Sequence, residues 1–204
     1  MGFLSAFKHF GWGLLGAAIG LGIGVAFGSF VAEITDRDPL QIRVAIGYVF
    51  ALIGWLLGVG LWEVLAREWL GLEPKPHDNH GWQRYFSFSL DHKVIGVQYL
   101  VTMVILFLVA GLFAMLIRIE LLDAGQNFLN ANDFNTTMSL HGIIMVAVAV
   151  ASIMGGFANF VLPLLIGADD VAFPRINALS FWIVPPVAVL LITTPVFGGF
   201  DSGW

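Results

Sequence analysis

The sequence predicts an all-α, polytopic membrane helical bundle with about five transmembrane helices, and three observations carry that prediction. Of 204 residues, 58% are hydrophobic and only 11% are charged, less than half the charged fraction of about 25% usual in soluble domains. Five stretches are apolar over the ~20 residues a helix needs to cross a bilayer core: 12–31, 44–62, 94–117, 138–166 and 180–200. The charged residues gather between those stretches. A helix satisfies its backbone hydrogen bonds within one segment, as lipid demands, so each stretch is read as a helix.

The first stretch follows Lys8 and is longer than the apolar region of a signal peptide, so it is expected to be a retained span. The second, 44–62, is followed by the longest polar stretch of the chain, 63–93, with Pro74, Pro76, His77, Asp78, Asn79 and His80 in its middle. The third, 94–117, is uninterrupted and ends at Arg118. The fourth, 138–166, is long enough to tilt or to leave the hydrocarbon near Pro163. The fifth holds Pro185, Pro186 and Pro195, which are expected to kink it or shorten its regular part.

The distribution of Lys and Arg sets the expected orientation. Lys8, Arg67, Lys75, Arg84, Lys93 and Arg175 fall on one side of the five spans; Arg37, Arg43 and Arg118 fall on the other. The richer side is expected to be cytoplasmic, and it includes the N-terminus. Three regions follow: a Gly-rich transmembrane hairpin at 1–65, a polar cytoplasmic linker at 66–84, and a unit at 85–204 with more polar residues at membrane depth. The absence of cysteine excludes disulfides, thiolate metal sites and thioether attachment of haem. No basic run or aromatic–basic pattern points to nucleic acid.

In the hairpin, Gly16, Gly20, Gly24 and Gly28 recur every four residues, and Gly54 and Gly58 repeat the spacing. Small residues at that interval let helix backbones approach closely in lipid, so helix packing is the expected role. An ion-driven rotor would need a carboxylate in mid-membrane, and 44–62 has none.

Ionisable and amide groups at membrane depth are costly and commonly functional. Here they are Arg118, His141 and Asn159, with Asp169, Asp170 and Asn177 between the fourth and fifth spans. A lone imidazole such as His141 is more often a hydrogen-bonded core residue than a metal ligand. Its position adds information. From His141 to Asn159 is 18 residues, about 27 Å of helix, so the two lie near opposite membrane faces. Arg118 is expected at the level of His141, where a cation and an imidazole would suit a large anionic metal cofactor. Asp170 followed inward by Asn159 and Asn177 would suit water ordering and proton uptake, because neutral amides organise water without trapping the proton.

Several motifs resemble the catalytic subunit I of the haem-copper oxidase family. Ser87-Phe88-Ser89-Leu90, Asp91-His92-Lys93-Val94-Ile95-Gly96 and Tyr99-Leu100 look like the start of its first core helix, and Ile117-Arg118-Ile119-Glu120-Leu121 is similar to that helix's end. Asn135, Ser139, His141-Gly142 and Met145 match the haem-ligand motif. The likeness continues through Gly155-Gly156-Phe157-Ala158-Asn159, Pro163-Leu164, Ile166-Gly167-Ala168, Asp170 to Asn177, Ser180-Phe181-Trp182 and Pro185-Pro186. It covers about 120 residues, so region 85–204 reads as the N-terminal part of that core. Departures are Phe134 where Tyr is usual, Ser139 where Thr is usual, and Asn177-Ala178 in place of an Asn pair.

The resemblance implies that His141 is one axial iron ligand of a low-spin haem, expected to be of type A, and that Arg118 lies beside a substituent of that haem's ring. It implies that Asp170 is the mouth of a proton-uptake path with Asn159 and Asn177 just inside. Val109, Phe113, Asp133 and Thr136 stand where the ubiquinol-oxidising branch carries its quinol-site Arg, Asp, His and Gln, so the implied electron donor is cytochrome c. The second haem ligand and the histidines of the haem-copper centre have no counterpart, since His9, His77, His80 and His92 fall in polar or interfacial stretches. The chain is therefore expected to be the N-terminal piece of a longer subunit I. Its expected partners are the remaining part of subunit I, subunits II and III, and the lipid of a bacterial or archaeal plasma membrane. The alternative reading is a non-catalytic membrane assembly protein that keeps these helices without a haem.

Overall fold

The computed structural model describes residues 7–35, 38–72 and 81–197, with backbone alone at 196 and 197. His77 and His80 lie outside the described residues. Every regular element described is helical, and five helices are long and apolar enough to cross a membrane. The chain forms two compact units, residues 1–89 and 90–204.

In the first unit, α1 (Lys8–Thr35) pairs with α2 (Pro39–Leu56) as a hairpin. Asp38 caps α2 by accepting from the Leu40 amide at 2.9 Å, and Pro39 occupies the first helical position, where its missing N–H costs nothing. The α2 start therefore precedes the apolar stretch by five residues. The glycines do what their spacing suggests: a Cβ on Gly16 would collide with the Gly54 carbonyl, and one on Gly20 with that of Phe50. Backbone rests on backbone at Gly16, Gly20, Gly54 and Gly58, whereas Gly13 meets the Val59 and Trp55 side chains. A π-helical turn, Leu57–Leu61, follows α2 and leads into α3 (Trp62–Trp69). Helix thus continues into the stretch read as a linker. Further on, a 3-10 turn at Trp82–Phe86 brings Trp82 and Phe86 against Phe7, with ring centroids 6.3 and 4.7 Å away.

In the second unit, α4 (His92–Glu120) starts at Asp91, whose carboxylate accepts from the Lys93 amide at 2.8 Å. A ten-residue connection leads to α5 (Ala131–Ile143), capped by Asn130, which accepts from the Asp133 amide at 2.9 Å. The fourth span consequently begins seven residues earlier than its hydropathy suggests, because a capping side chain rather than apolarity starts the helix. It continues through a π-helical segment, Ile144–Val150, into α6 (Ala151–Ile166). Pro163 lies inside α6 without ending it; Gly167, at φ +70°, does so, with the Ala168 amide reaching back to the Pro163 carbonyl at 2.9 Å. The fifth span, α7 (Pro174–Thr193), also starts early, with Pro174 in the first turn. It carries Pro185 and Pro186 within it, and a 3-10 turn, Thr194–Phe197, follows. Residues 198–200 of the expected fifth span lie outside the described residues.

α4 runs antiparallel to the α5–α6 span, and α7 packs beside α4. The apolar centre comprises Leu106 and Ala110 of α4, Leu140, Ile144 and Val148 of the fourth span, and Ala188 of α7. Nearer the other end, Gly96 faces Gly156 and Phe160 so closely that a Cβ on Gly96 would lie 2.8 Å from that of Phe160. These contacts set the register on which the candidate site depends.

Candidate functional site

The polar residues singled out in the sequence fall into two groups, at opposite ends of the α4/α5–α6 pair. Two hydrogen bonds define the register. His141 bonds through Nδ1 to the Ala110 carbonyl at 2.9 Å, and His92 bonds through Nδ1 to the Asn159 carbonyl at 2.7 Å. Ala110 is 18 residues from His92, as Asn159 is from His141, so both helices separate the groups by about 27 Å.

His141 sits three turns into α5 rather than near its start, because the helix begins at Ala131. Its ring is half-buried. A carbonyl oxygen only accepts, so Nδ1 is the donor, and a neutral ring then carries its free lone pair on Nε2. This is the arrangement by which metal-bound imidazoles are commonly oriented: one nitrogen held by a main-chain acceptor, the other available. The donor set therefore fits one axial position of a haem iron. Three residues beyond His141 the π-helical segment begins. Such segments rotate the following residues relative to a regular helix and concentrate at functional sites; here the buried positions that follow are Ile144, Val148, Ala149 and Ser152.

Arg118 is exposed and lies in the last turn of α4. It stands eight residues beyond Ala110, about 12 Å further along the helix. The expectation that it shares the level of His141 is therefore corrected: the His141–Ala110 bond puts the imidazole about two turns of α4 short of Arg118. Hydropathy could not supply that register, which follows from where α5 is capped.

At the other end, Asn159 is 7% exposed and every polar group of its side chain is used. Its Nδ2 donates to the Gly155 carbonyl at 2.7 Å, and its Oδ1 accepts from Asn177 Nδ2. The Asn177 carbonyl accepts from Ser180 Oγ at 2.7 Å, which in turn lies 2.9 Å from Tyr99 Oη. Because the single Ser180 hydroxyl proton points to Asn177, Tyr99 is the donor in the last bond. The result is a connected series of polar groups from Tyr99 to Asn159, drawn from three helices. The structure thus brings Asn159 and Asn177 together. Asp170 is exposed on the α6–α7 connection, accepts from the Val171 amide at 2.7 Å, and makes no hydrogen bond to either asparagine.

Several residues here escaped the sequence reading. His92 was expected in a polar, solvated stretch; instead it is 2% exposed and bonded to Asn159. Its signal was helical spacing: His92, Ile95 and Tyr99 share one face of α4, and all three are buried. Tyr99 and Ser180 are 81 residues apart, and no sequence pattern couples them. Glu120, 5% exposed, accepts from the amides of Asn127, Phe128 and Leu129 at 2.8, 3.0 and 3.0 Å, and so ties the α4–α5 connection to the end of α4. Among the described residues, no three His, Asp or Glu side chains gather as a metal site.

The profile of the family "Cytochrome C and Quinol oxidase polypeptide I" matches residues 94–204. Cytochrome c oxidase subunit 1 of Thermostichus vulcanus is 49% identical over 124 residues, which is 60% of this chain and 22% of that protein. The subunit 1 proteins of Synechocystis and Corynebacterium glutamicum are each 42% identical, over 63% and 65% of this chain and 23% of their own length. The chain thus spans a little over a fifth of the length of the curated relatives it matches. With more than half of its residues matched by the family profile, this integral membrane chain belongs to the family of cytochrome c and quinol oxidase polypeptide I.

Proposed function

We propose that this chain supplies the opening helices of the catalytic subunit of a terminal respiratory oxidase, with a haem-ligating end and a proton-uptake end on one antiparallel helix pair. The observation that carries this reading is the shared register: His141 anchored to Ala110 at one end, and the Asn159–Asn177 pair at the other. The assembled enzyme would carry electrons from cytochrome c to oxygen, form water and pump protons. Its haem-copper centre would be held by the remaining part of subunit I, and subunits II and III would complete the complex. The low-spin haem, when bound, supplies a one-electron store, and type A is the form proposed.

In this reading, His141 would hold the haem iron through Nε2, and its Nδ1–H bond to the Ala110 carbonyl fixes both tautomer and ring orientation. Arg118, two turns along α4, would lie beside the haem, where its positive charge would favour the reduced state. At the opposite end, taken as cytoplasmic from the Lys and Arg distribution, Asp170 collects protons in its exposed loop. Asn159 and Asn177 then present neutral donors and acceptors, which align water without forming an ion of their own. The Tyr99–Ser180–Asn177 bonds hold the second amide in place.

The reading is tested by the His141→Ala variant of the complete subunit. It should lose the low-spin haem absorbance while the protein still inserts in the membrane. Full retention of that absorbance would remove His141 as a ligand.

A further inference from the structure

We propose that α3 is an interfacial helix, lying at the membrane–water boundary with its Trp62/Leu65/Trp69 face turned into the lipid. The first argument is length. The helical stretch Pro39–Trp69 has 31 residues, about 46 Å at the standard rise, whereas the hydrocarbon core is about 30 Å thick. The excess cannot remain in the core as a straight span. The structure places the break where the length requires it: Gly60 adopts φ +122° and ψ 2° within the π-helical turn. The uncharged run from Val44 to Trp62 is 19 residues, about 28 Å, close to one core thickness, so the break falls in its last turn.

The break is built in. The Val59 carbonyl accepts from the Phe88 amide at 3.3 Å, so a carbonyl loosened from the helical ladder finds a partner. A Cβ on Gly60 would lie 3.1 Å from that of Phe88, so glycine is favoured by conformation and by space together.

The second argument is the face beyond the break. Trp62, Leu65 and Trp69 recur at spacings of three and four, and Glu63, Arg67 and Glu68 occupy the rest of the helix surface. Trp62 and Trp69 are 58% and 74% exposed. Indole rings concentrate at headgroup level because one edge is apolar and the other donates a hydrogen bond, and a helix with such a face binds in the plane of the interface. The exposed apolar positions Val44, Tyr48, Val49, Ile53 and Leu57 precede exposed Trp62 along the same stretch, so a bilayer that covers the span is the occupant of this face as well.

Spin labels test this. The chain contains no cysteine, so single cysteines at Trp62, Leu65, Trp69, Glu63 and Glu68 can be labelled in the assembled complex on a cysteine-free background, reconstituted in phosphatidylcholine vesicles. The ratio of oxygen to nickel-chelate collision rates should be several-fold higher at Trp62, Leu65 and Trp69 than at Glu63 and Glu68. Equal ratios at all five would put α3 in water. Exclusion of both reagents from Trp62 and Trp69 would mean protein, and not lipid, covers the face. Either result overturns the proposal.

Discussion

The Asn159–Asn177 pair yields a quantitative prediction. Replacing Asn159 with Leu keeps the number and branching of the side-chain heavy atoms but removes the bond to the Gly155 carbonyl and the acceptor for Asn177 Nδ2. Replacing Asn177 with Leu removes only the shared bond, because the Ser180 hydroxyl donates to its main-chain carbonyl. The His92 bond is likewise to a main-chain carbonyl and persists in both variants. Side-chain hydrogen bonds between membrane helices are worth about 0.6 kcal/mol on average and at most about 1.7. The double-mutant cycle in the complete oxidase should therefore return a coupling of about 0.6–1.7 kcal/mol, or roughly threefold to eighteenfold in the unfolding equilibrium. Equilibrium unfolding in mixed lipid–detergent micelles measures it. If the amides also act as a unit in proton uptake, the double variant will be no slower in turnover than the slower single variant. Additivity within about 0.3–0.5 kcal/mol, together with multiplying rate effects, would refute the coupled pair.

Other outcomes follow from the same structure. Asp170→Asn in the complete enzyme should slow turnover and impair proton pumping, measured by stopped-flow acidification of vesicle suspensions; unchanged pumping would remove Asp170 from the path. Gly54→Val should cost the hairpin about 1–3 kcal/mol through overpacking, because the added atoms meet the Gly16 backbone. Gly22→Val, whose Cβ would meet nothing within 4 Å, should be nearly neutral in the same thermal melt. Glu120→Ala should strip the acceptor from three amides, so hydrogen exchange at Asn127, Phe128 and Leu129 should accelerate while exchange in mid-α4 does not change.

Much of the fold was legible because membrane helices are written in the chain as runs of apolar residues. Lipid enforces self-contained backbone bonding, so a run of sufficient length has one structural outcome. Ends were less legible. α2, α5 and α7 start several residues before their hydropathy suggests, since Asp38, Asn130 and the prolines Pro39 and Pro174 start helices through capping and fixed φ, properties a hydropathy sum does not contain. The break at Gly60 was hidden for a similar reason: glycine is counted as apolar, and its left-handed φ is visible only when Phe88 packs against it.

For the site, the sequence alone determined which residues carry unusual chemistry at membrane depth, and its motifs pointed to the family. It also separated His141 from Asn159 by about 27 Å of helix, because rise per residue is a local property. The tertiary structure decided which groups meet. Asn159 with Asn177, His92 with the Asn159 carbonyl, and Tyr99 with Ser180 depend on the register between helices. That register is the joint product of cap positions, the π-helical segment after His141 and glycine contacts such as Gly96 against Gly156. An offset of a single residue rotates a side chain by about 100° around its helix, so no one-dimensional pattern specifies it. Arg118 shows the consequence: its residue type was readable, but its level, two turns from the imidazole, was set by packing.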